Sequence, residues 1–204
     1  MDSGEPAEVR GRILPLTDAQ MVELWDKQAL HDNLMTYVRG ADRHDIEAIR
    51  STYWPDSWDD HGGFVGTGPG WADAALSWHD AVHSCNHHVS NVLSEIDGNR
   101  AKRESMFLCV VPFKEPDVTM YQAGRYRDLC EKRDGVWKIV HRTCIWDWVD
   151  VRPTNTTGWD LVNVPRISHW GDWFPQDPIY KEWDAPAATE FHRGPSPSHA
   201  TPST

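Results

Sequence analysis

Residues 118–149 read VTMYQAGRYRDLCEKRDGVWKIVHRTCIWDWV, and this stretch decides the fold. From Val118 to Lys132 polar and apolar side chains largely alternate, the pattern of a strand with one buried face. Arg133-Asp134-Gly135 supplies a tight turn, and Val136–Val149 resumes the strand pattern. The stretch predicts an antiparallel hairpin. A second hairpin precedes it. HHVSNVLSEI (87–96) and RAKRESMFLCVVPF (100–113) flank the turn Asp97-Gly98-Asn99.

Upstream the period changes from strand to helix. Thr17 and Gln20 form a T-x-x-Q capping box. A helix is expected over Asp18–Arg39, with Leu30, Leu34, Tyr37, Val38 and Ala41 near one face and Gly40 as its stop. A second helix over Arg43–Tyr53 carries Ile46, Ile49 and Tyr53 and ends before Pro55. SWDDHGGFVGT (57–67) reads as a short strand and turn. A third helix over Pro69–His83 places Trp71, Ala75, Trp78 and Val82 on one stripe. Helices first, then a curled antiparallel sheet, make an α+β domain.

The chain has 204 residues, enough for one domain that buries its own core, plus tails. The expected layout is a flexible arm over 1–16, an α+β barrel or cone over 17–150, and a C-terminal segment over 151–204. That last segment holds eight of the fourteen prolines and four tryptophans, Trp159, Trp170, Trp173 and Trp183. It is expected to be an extended arm pinned by its aromatics to about Trp183, then a disordered tail.

Composition removes several function classes. A formal charge of -11 argues against a nucleic-acid protein and against anionic lipid as a partner. No apolar run reaches the length of about 18 residues that a membrane span needs. The polar start MDSGEPAEVRGR lacks the apolar core of a signal peptide, so a cytoplasmic location is expected. Cys85, Cys109, Cys130 and Cys144 show no CxxC spacing and are expected to be reduced core residues. Gly66-Thr67-Gly68-Pro69-Gly70 is too short and proline-broken for a dinucleotide loop, and neither a P-loop nor a G-x-S-x-G elbow occurs. The twelve tryptophans fit an aromatic pocket, a wide subunit interface or simply a Trp-rich core.

Four residues are candidates for chemistry. Tyr37 falls in the last turn of the first helix, and Asp42 in the connection after Gly40. Asp42 is alternatively the cap of the second helix, with Asp45 at its third position. Asn86-His87-His88 opens a strand, so one imidazole faces inward and its neighbour outward. A histidine beside a carboxylate in an enclosed pocket can take a proton near neutral pH. Arg142 is read as sharing a face with Val140, Cys144, Trp146 and Trp148. An arginine on such a face needs a partner, such as Asp128, or an anionic transition state. A metal centre is the rival reading. His79 and His83 lie four apart on a helix, and His87, His88, Asp59, Asp60 and His61 could add to them. HExxH and paired cysteines are absent, so no metal and no cofactor are expected.

Three runs carry a resemblance: YVRGADRHDIEAIRSTYWPDSWDDHGGFVGTG (37–68), NHHVSNVLSEIDGNRA (86–101) and YRDLCEKRDGVWKIVHRTCIWDW (126–148). Together they resemble the polyketide-cyclase-like (SnoaL-like) branch of the nuclear-transport-factor-2-like superfamily, over about residues 20–150. The resemblance implies a cone: a curved antiparallel sheet wrapped around three helices and a deep pocket. It also implies elimination chemistry without a cofactor, since the branch includes scytalone dehydratase, the lindane dehydrochlorinase, a bile-acid dehydratase and a lignin diarylpropane lyase. In this alignment Asp42 falls on the family's buried carboxylate and His87 on its strand histidine. Tyr37 matches the bile-acid enzyme's tyrosine, and Arg142 the dehydrochlorinase's arginine. Cys109 stands where the bile-acid enzyme has a second aspartate, which argues against bile-acid dehydration here.

The expected mechanism follows. His87, held by Asp42, abstracts a proton, while Tyr37 and Arg142 stabilise the developing oxyanion. Tyr53, Trp54, Trp78, His88, Tyr121, Arg125 and Trp146 are expected to contact a flat, hydrophobic aromatic substrate. A homo-oligomer is expected, a trimer before a dimer. Two alternatives stand beside the lyase: a cyclase or isomerase using the same pair, and a non-catalytic module that binds a hydrophobic ligand.

Overall fold

The structure, a computed structural model, describes residues 15–154 and 171–181. The expected arm over 1–16 and tail after Trp183 lie almost wholly outside the described residues. Helix α1 spans Asp18–Arg43. Its capping box forms as the sequence predicts: the Thr17 hydroxyl accepts from the Gln20 N–H, and the Gln20 side chain accepts from the Thr17 N–H. Gly40 does not stop it. The helix continues one more turn to a left-handed cap at His44. Gly40 is required for a different reason, because a Cβ there would meet Ile49 Cγ1 and the Ile49 N–H nitrogen at 2.9 Å. It lets helix α2 (Ile46–Ser51) lie against α1.

Asp45 caps α2, accepting from the Ala48 N–H at 3.0 Å. That removes the capping alternative for Asp42, which instead sits inside the last turn of α1. The third helical segment is an α-helix over Gly68–Ala75 (α3) followed by a 3-10 turn over Leu76–Ala81.

The strands are β1 (Tyr53–Asp60), β2 (Val65–Thr67), β3 (Asn86–Asp97), β4 (Arg100–Pro112), β5 (Val118–Arg133) and β6 (Val136–Pro153). They form one sheet in the order β2-β1-β6-β5-β4-β3. Both predicted hairpins are present as β3–β4 and β5–β6. The second closes on Asp134 and Gly135, both with positive φ, the geometry that matches the twist of paired strands. The expectation of a purely antiparallel sheet is corrected at one place: β1 pairs with β6 in parallel. Helices α1 and α2 precede β1, so the chain enters that edge from the opposite end.

Two bulges in β6 re-aim its side chains. Leu129 faces His141 and Cys130 faces Ile139, so Val140 is an extra residue, and Ile139 and Arg142 both turn inward. Ala123 faces Trp148 and Gly124 faces Trp146, so Asp147 is a second extra residue. Trp146 therefore faces the concave side and Trp148 the outer side. This corrects the expectation that Val140, Arg142, Cys144, Trp146 and Trp148 share a face.

The concave side divides into two ends. At the β5–β6 hairpin end, Leu30 and Leu34 of α1 pack on Ile139, Trp137 and Cys130. Fully burying a leucine is worth about 1.5–3 kcal/mol. Asp128 lies in this core and accepts from Arg103 Nη2 at 2.7 Å and from Arg142 Nε at 2.7 Å. At the other end the filling stops and a cavity opens.

Candidate active site

The cavity encloses about 510 Å³. Helix α1 with its cap, and α3 with the 3-10 turn after it, give one wall with Tyr37, Ala41, His44, Trp71, Ala75 and Trp78, and strands β3–β6 give the other with His87, Phe107, Cys109, Gln122, Tyr126 and Trp146. Trp71, Ala75, Trp78 and Val82, the stripe read from the sequence, all line it.

Asp42 and His87 meet at its side. Asp42 Oδ1 accepts from the His87 backbone N–H at 2.9 Å and lies 2.6 Å from His87 Nδ1. The carboxylate thus fixes both the strand end and the ring. The His87 ring also meets the Cys109 side chain. Cys109 stands directly opposite His87 across the β3–β4 ladder. Its sulfur is 3.5 Å from Cys85 Sγ, and Cys85 Sγ is 3.7 Å from His87 Nδ1. The bond from Cys85, against burial and with help from the nearby His87 cation, pulls the Cys109 thiol well below its ordinary value. The bond to Cys109, followed by burial, drives Cys85 up, so Cys85 keeps its proton. Burial works against a charge on His87, but Cys109 and Asp42 outweigh it and push His87 up to about 10. The two shifts run in opposite directions, His87 up and Cys109 down, so each favours the charged form of the other.

A second histidine–carboxylate pair faces the same cavity. Asp59, at the end of β1, is fully buried. It accepts from the Tyr53 hydroxyl at 2.6 Å on one oxygen and meets His61 Nδ1 on the other. His61 Nε2 lies 3.2 Å from the Tyr37 hydroxyl, and the Trp71 indole N–H donates to that hydroxyl at 2.9 Å. The His61 ring stacks on Trp71 at 3.8 Å. Burial holds His61 below its ordinary value despite Asp59, so this ring is neutral where His87 is charged. Burial likewise raises Tyr37, which keeps its phenolic proton.

The sequence considered His61 and Asp59 only as accessory metal ligands. Their spacing carries a sharper signal: residues i and i+2 at a strand end share a face. Cys85 and His87 repeat it.

The remaining candidates divide. Trp78 and Trp146 line the cavity, as does Tyr37. Arg142 does not. It is fully buried, paired with Asp128, with its guanidinium 4.0 Å from the Tyr37 ring centre and 4.2 Å from that of Tyr126. It props the wall from behind and cannot reach a substrate without displacing those rings. Tyr53 is likewise a layer back, holding Asp59. Trp54 lies at the β5–β6 hairpin end, donating to the Glu131 carbonyl at 3.0 Å and covered by Arg133 and Lys138. His88, Tyr121 and Arg125 are on the outer face, because their neighbours His87, Gln122 and Tyr126 point inward. Arg125 pairs there with Asp147 at 3.2 Å.

The expected metal rival also changes. His79 Nδ1 pairs with His44 Nδ1 at 2.9 Å, and His83 is exposed and does not join it. Among the described residues, the donor atoms that gather within 4.8 Å are those of Cys85, His87 and Cys109. Two sulfurs and one imidazole would suit a soft ion. Asp42 lies 2.6 Å from His87 Nδ1 beside this cluster.

Part of the C-terminal segment reaches this end. Trp173 stacks on His44 at 4.0 Å, the Phe174 N–H donates to the Arg43 carbonyl at 2.7 Å, and Arg43 pairs with Asp177 at 3.2 Å. His44 is itself a cavity residue, and burial with His79 beside it lowers it to about 4, so it is neutral.

A curved sheet closed on one side by helices, with a His–Asp pair at the open end, defines a small pocket protein of the nuclear-transport-factor-2-like fold. The chain belongs to the SnoaL-like domain family, whose model matches residues 22–143. Solved structures agree on the fold. A putative scytalone dehydratase from Novosphingobium aromaticivorans is 20% identical, with a TM-score of 0.59 over 68% of this chain and 97% of that one. The hexachlorocyclohexane dehydrochlorinase LinA-type3 from Novosphingobium barchaimii is 21% identical, with a TM-score of 0.60 over 64% and 92%. A nuclear-transport-factor-2-like protein from Salmonella enterica is 16% identical, with a TM-score of 0.56 over 66% and 95%. No curated protein matches the chain. No helix among the described residues is long and apolar enough to cross a membrane.

Proposed function

We propose that this protein is a cofactor-independent lyase that removes water or a comparable small group from a hydrophobic aromatic alcohol. One observation carries the reading: the Asp42–His87 pair at 2.6 Å opens onto a cavity of about 510 Å³ walled by Trp71, Trp78, Phe107, Tyr126 and Trp146. Two relatives of the fold bear the names of eliminating enzymes, a putative scytalone dehydratase and a hexachlorocyclohexane dehydrochlorinase, which supports the same class here.

In this reading His87 takes a role different from the one expected from the sequence. A base must enter the cycle neutral. Cys109 and Asp42 both favour the cation on His87 against burial, which supports its entering as the acid. It delivers a proton to the departing oxygen, whose loss is otherwise disfavoured, and such general-acid help is worth about 10²–10⁴-fold. The aromatic walls exclude water and keep the ring of the substrate flat against them. A lignin-type diarylpropane diol fits this machinery: loss of a benzylic hydroxyl gives a quinone methide, and formaldehyde then leaves to give a stilbene.

The test is a panel of aromatic and steroidal alcohols incubated with purified protein, without added metal or cofactor, and read by mass spectrometry. Products lighter by water, or by water and formaldehyde together, are expected from the aromatic members. Products of unchanged mass would move the assignment to an isomerase or cyclase. Tight binding with no turnover of any member would make the protein a binding module.

A further inference from the structure

An elimination needs a proton acceptor as well as a donor, and the hydrogen-bond chain behind Tyr37 has the form of one. Its proton positions follow from the donors present. The Trp71 indole nitrogen only donates, so the Tyr37 oxygen accepts from it at 2.9 Å. The Asp59 carboxylate accepts from Tyr53 on one oxygen and faces His61 Nδ1 on the other, so Nδ1 carries the proton. The ring is neutral, which leaves Nε2 as an acceptor, and the Tyr37 hydroxyl at 3.2 Å donates to it. The chain therefore runs Trp71→Tyr37→His61→Asp59, with Tyr53 also donating to Asp59. Its members are locked by packing: His61 is stacked on Trp71, and the Tyr37 ring lies against the Arg142 guanidinium. The Tyr37 oxygen keeps a second lone pair, and the residue lines the cavity.

We propose that Tyr37, His61 and Asp59 form a proton-accepting relay that takes the proton of an acidic hydroxyl, a phenol or an enol, on the substrate. The inference rests on the lyase reading and adds the substrate class: an aromatic alcohol with a phenolic hydroxyl conjugated to the carbon that loses its leaving group. The step balances. The phenolic O–H breaks and its proton passes to the Tyr37 oxygen as the Tyr37 proton passes to His61 Nε2. The phenolate electron pair forms a C=O bond, the ring becomes a quinone methide, and the benzylic C–O bond breaks. The departing oxygen takes the His87 proton and leaves as water. The His61 cation formed is neutralised by Asp59, whose two oxygens are already hydrogen-bonded and fully buried. Tyr37 touches the substrate in this scheme, while His61 and Asp59 act through it.

The test does not depend on turnover. The probe is 4-nitrophenol, which turns yellow as its phenolate. Binding is measured by equilibrium dialysis and ionisation by absorbance, at a pH below that at which free 4-nitrophenol ionises. The wild-type protein is expected to bind it with the phenolate band. Tyr37→Phe and His61→Gln, each checked for folding by circular dichroism, are expected to bind it without the band, and His87→Ala to keep the band. A colourless complex with the wild-type protein, or no complex, overturns the relay. So does a band that persists in Tyr37→Phe and His61→Gln but vanishes in His87→Ala, since His87 would then be what ionises the probe. The two readings fail separately. A silent alcohol panel with the band intact removes the lyase, and productive elimination with no band removes the relay alone.

Discussion

Replacing Asp42 by Asn tests the charge assignment on which the site depends. The surroundings push His87 up from its ordinary 6.5 to about 10, a difference of about 3.5. At about 1.36 kcal/mol for each pH unit, the surroundings favour the cation by roughly 5 kcal/mol. Burial acts in the opposite direction, so Cys109 and Asp42 together supply more than that. Asparagine keeps the shape of Asp42 and an acceptor oxygen for the 2.9 Å bond from the His87 N–H, but removes the charge. An adjacent anion moves a titration by about 1–3 units. Asp42→Asn should therefore lower the His87 midpoint by about 1–2 units, equal to roughly 1.4–2.7 kcal/mol. The assay is a proton NMR titration of the histidine ring signals, with His87→Ala identifying the resonance. In turnover the same change appears as the high-pH limb moving to lower pH, because the acid form is lost sooner. The sign for stability agrees. His87 binds its proton more tightly in the folded state, so its contribution is complete below about pH 6.5 and is lost as pH rises toward 10. A wild-type midpoint at or below 6.5, or one that Asp42→Asn leaves unmoved, refutes the reasoning.

His87→Ala should lower turnover by about 10²–10⁴-fold, whereas His88→Ala, on the outer face, should change it only slightly. An essential His88 and a dispensable His87, compared in one assay, would contradict the strand register. Dialysis against a strong chelator should leave activity unchanged, and elemental analysis that finds activity tracking about one metal ion per chain would show otherwise. Arg142→Met should unfold in denaturant about 3–5 kcal/mol more easily, because Asp128 loses one of its two buried arginines; an unchanged denaturation midpoint would rule this out. The outer sheet face exposes Leu93, Met106, Leu108, Leu129 and Trp148, so sedimentation at micromolar concentration should report a homo-oligomer, a trimer first; a monomer mass would show that this face is bare.

Much of this architecture could be read from local patterns. Alternation over 87–113 and 118–149 predicted both hairpins, because the side-chain period of a strand is local information. The capping box at Thr17 and Gln20 is equally local. The parallel β1–β6 pairing was not visible, since it joins residues such as Asp59 and Arg142 that lie far apart in sequence. The bulges at Val140 and Asp147 were hidden for a related reason: an extra residue is defined only against its partner strand. One consequence was the misplacement of Trp148. Gly40 looked like a helix stop, but its role is set by Ile49 crossing beside it. Within the site, Asp42 and His87 were legible through the resemblance, and the pocket-facing stripe of α3 through its period. Arg142 had two roles open to it, because a buried arginine looks the same in sequence in either. In the structure it pairs with Asp128. His61 was overlooked because its carboxylate partner, two residues away, was weighed as a metal ligand.

The extra residue at Asp147 turns strand pairing into a determinant of the binding wall. From Arg142 to Trp146 the inward side chains fall on even numbers, and beyond the bulge Val149 faces the cavity in place of Trp148. With Asp147 paired in the ladder rather than bulged, the same sequence would rotate the last part of β6 by one position. An indole would then come inward at the mouth, and an isopropyl group would go out. Walls of this kind are edited by how one extra residue is accommodated as well as by substitutions. Two relatives that agree at every aligned aromatic can still present different surfaces to the same ligand.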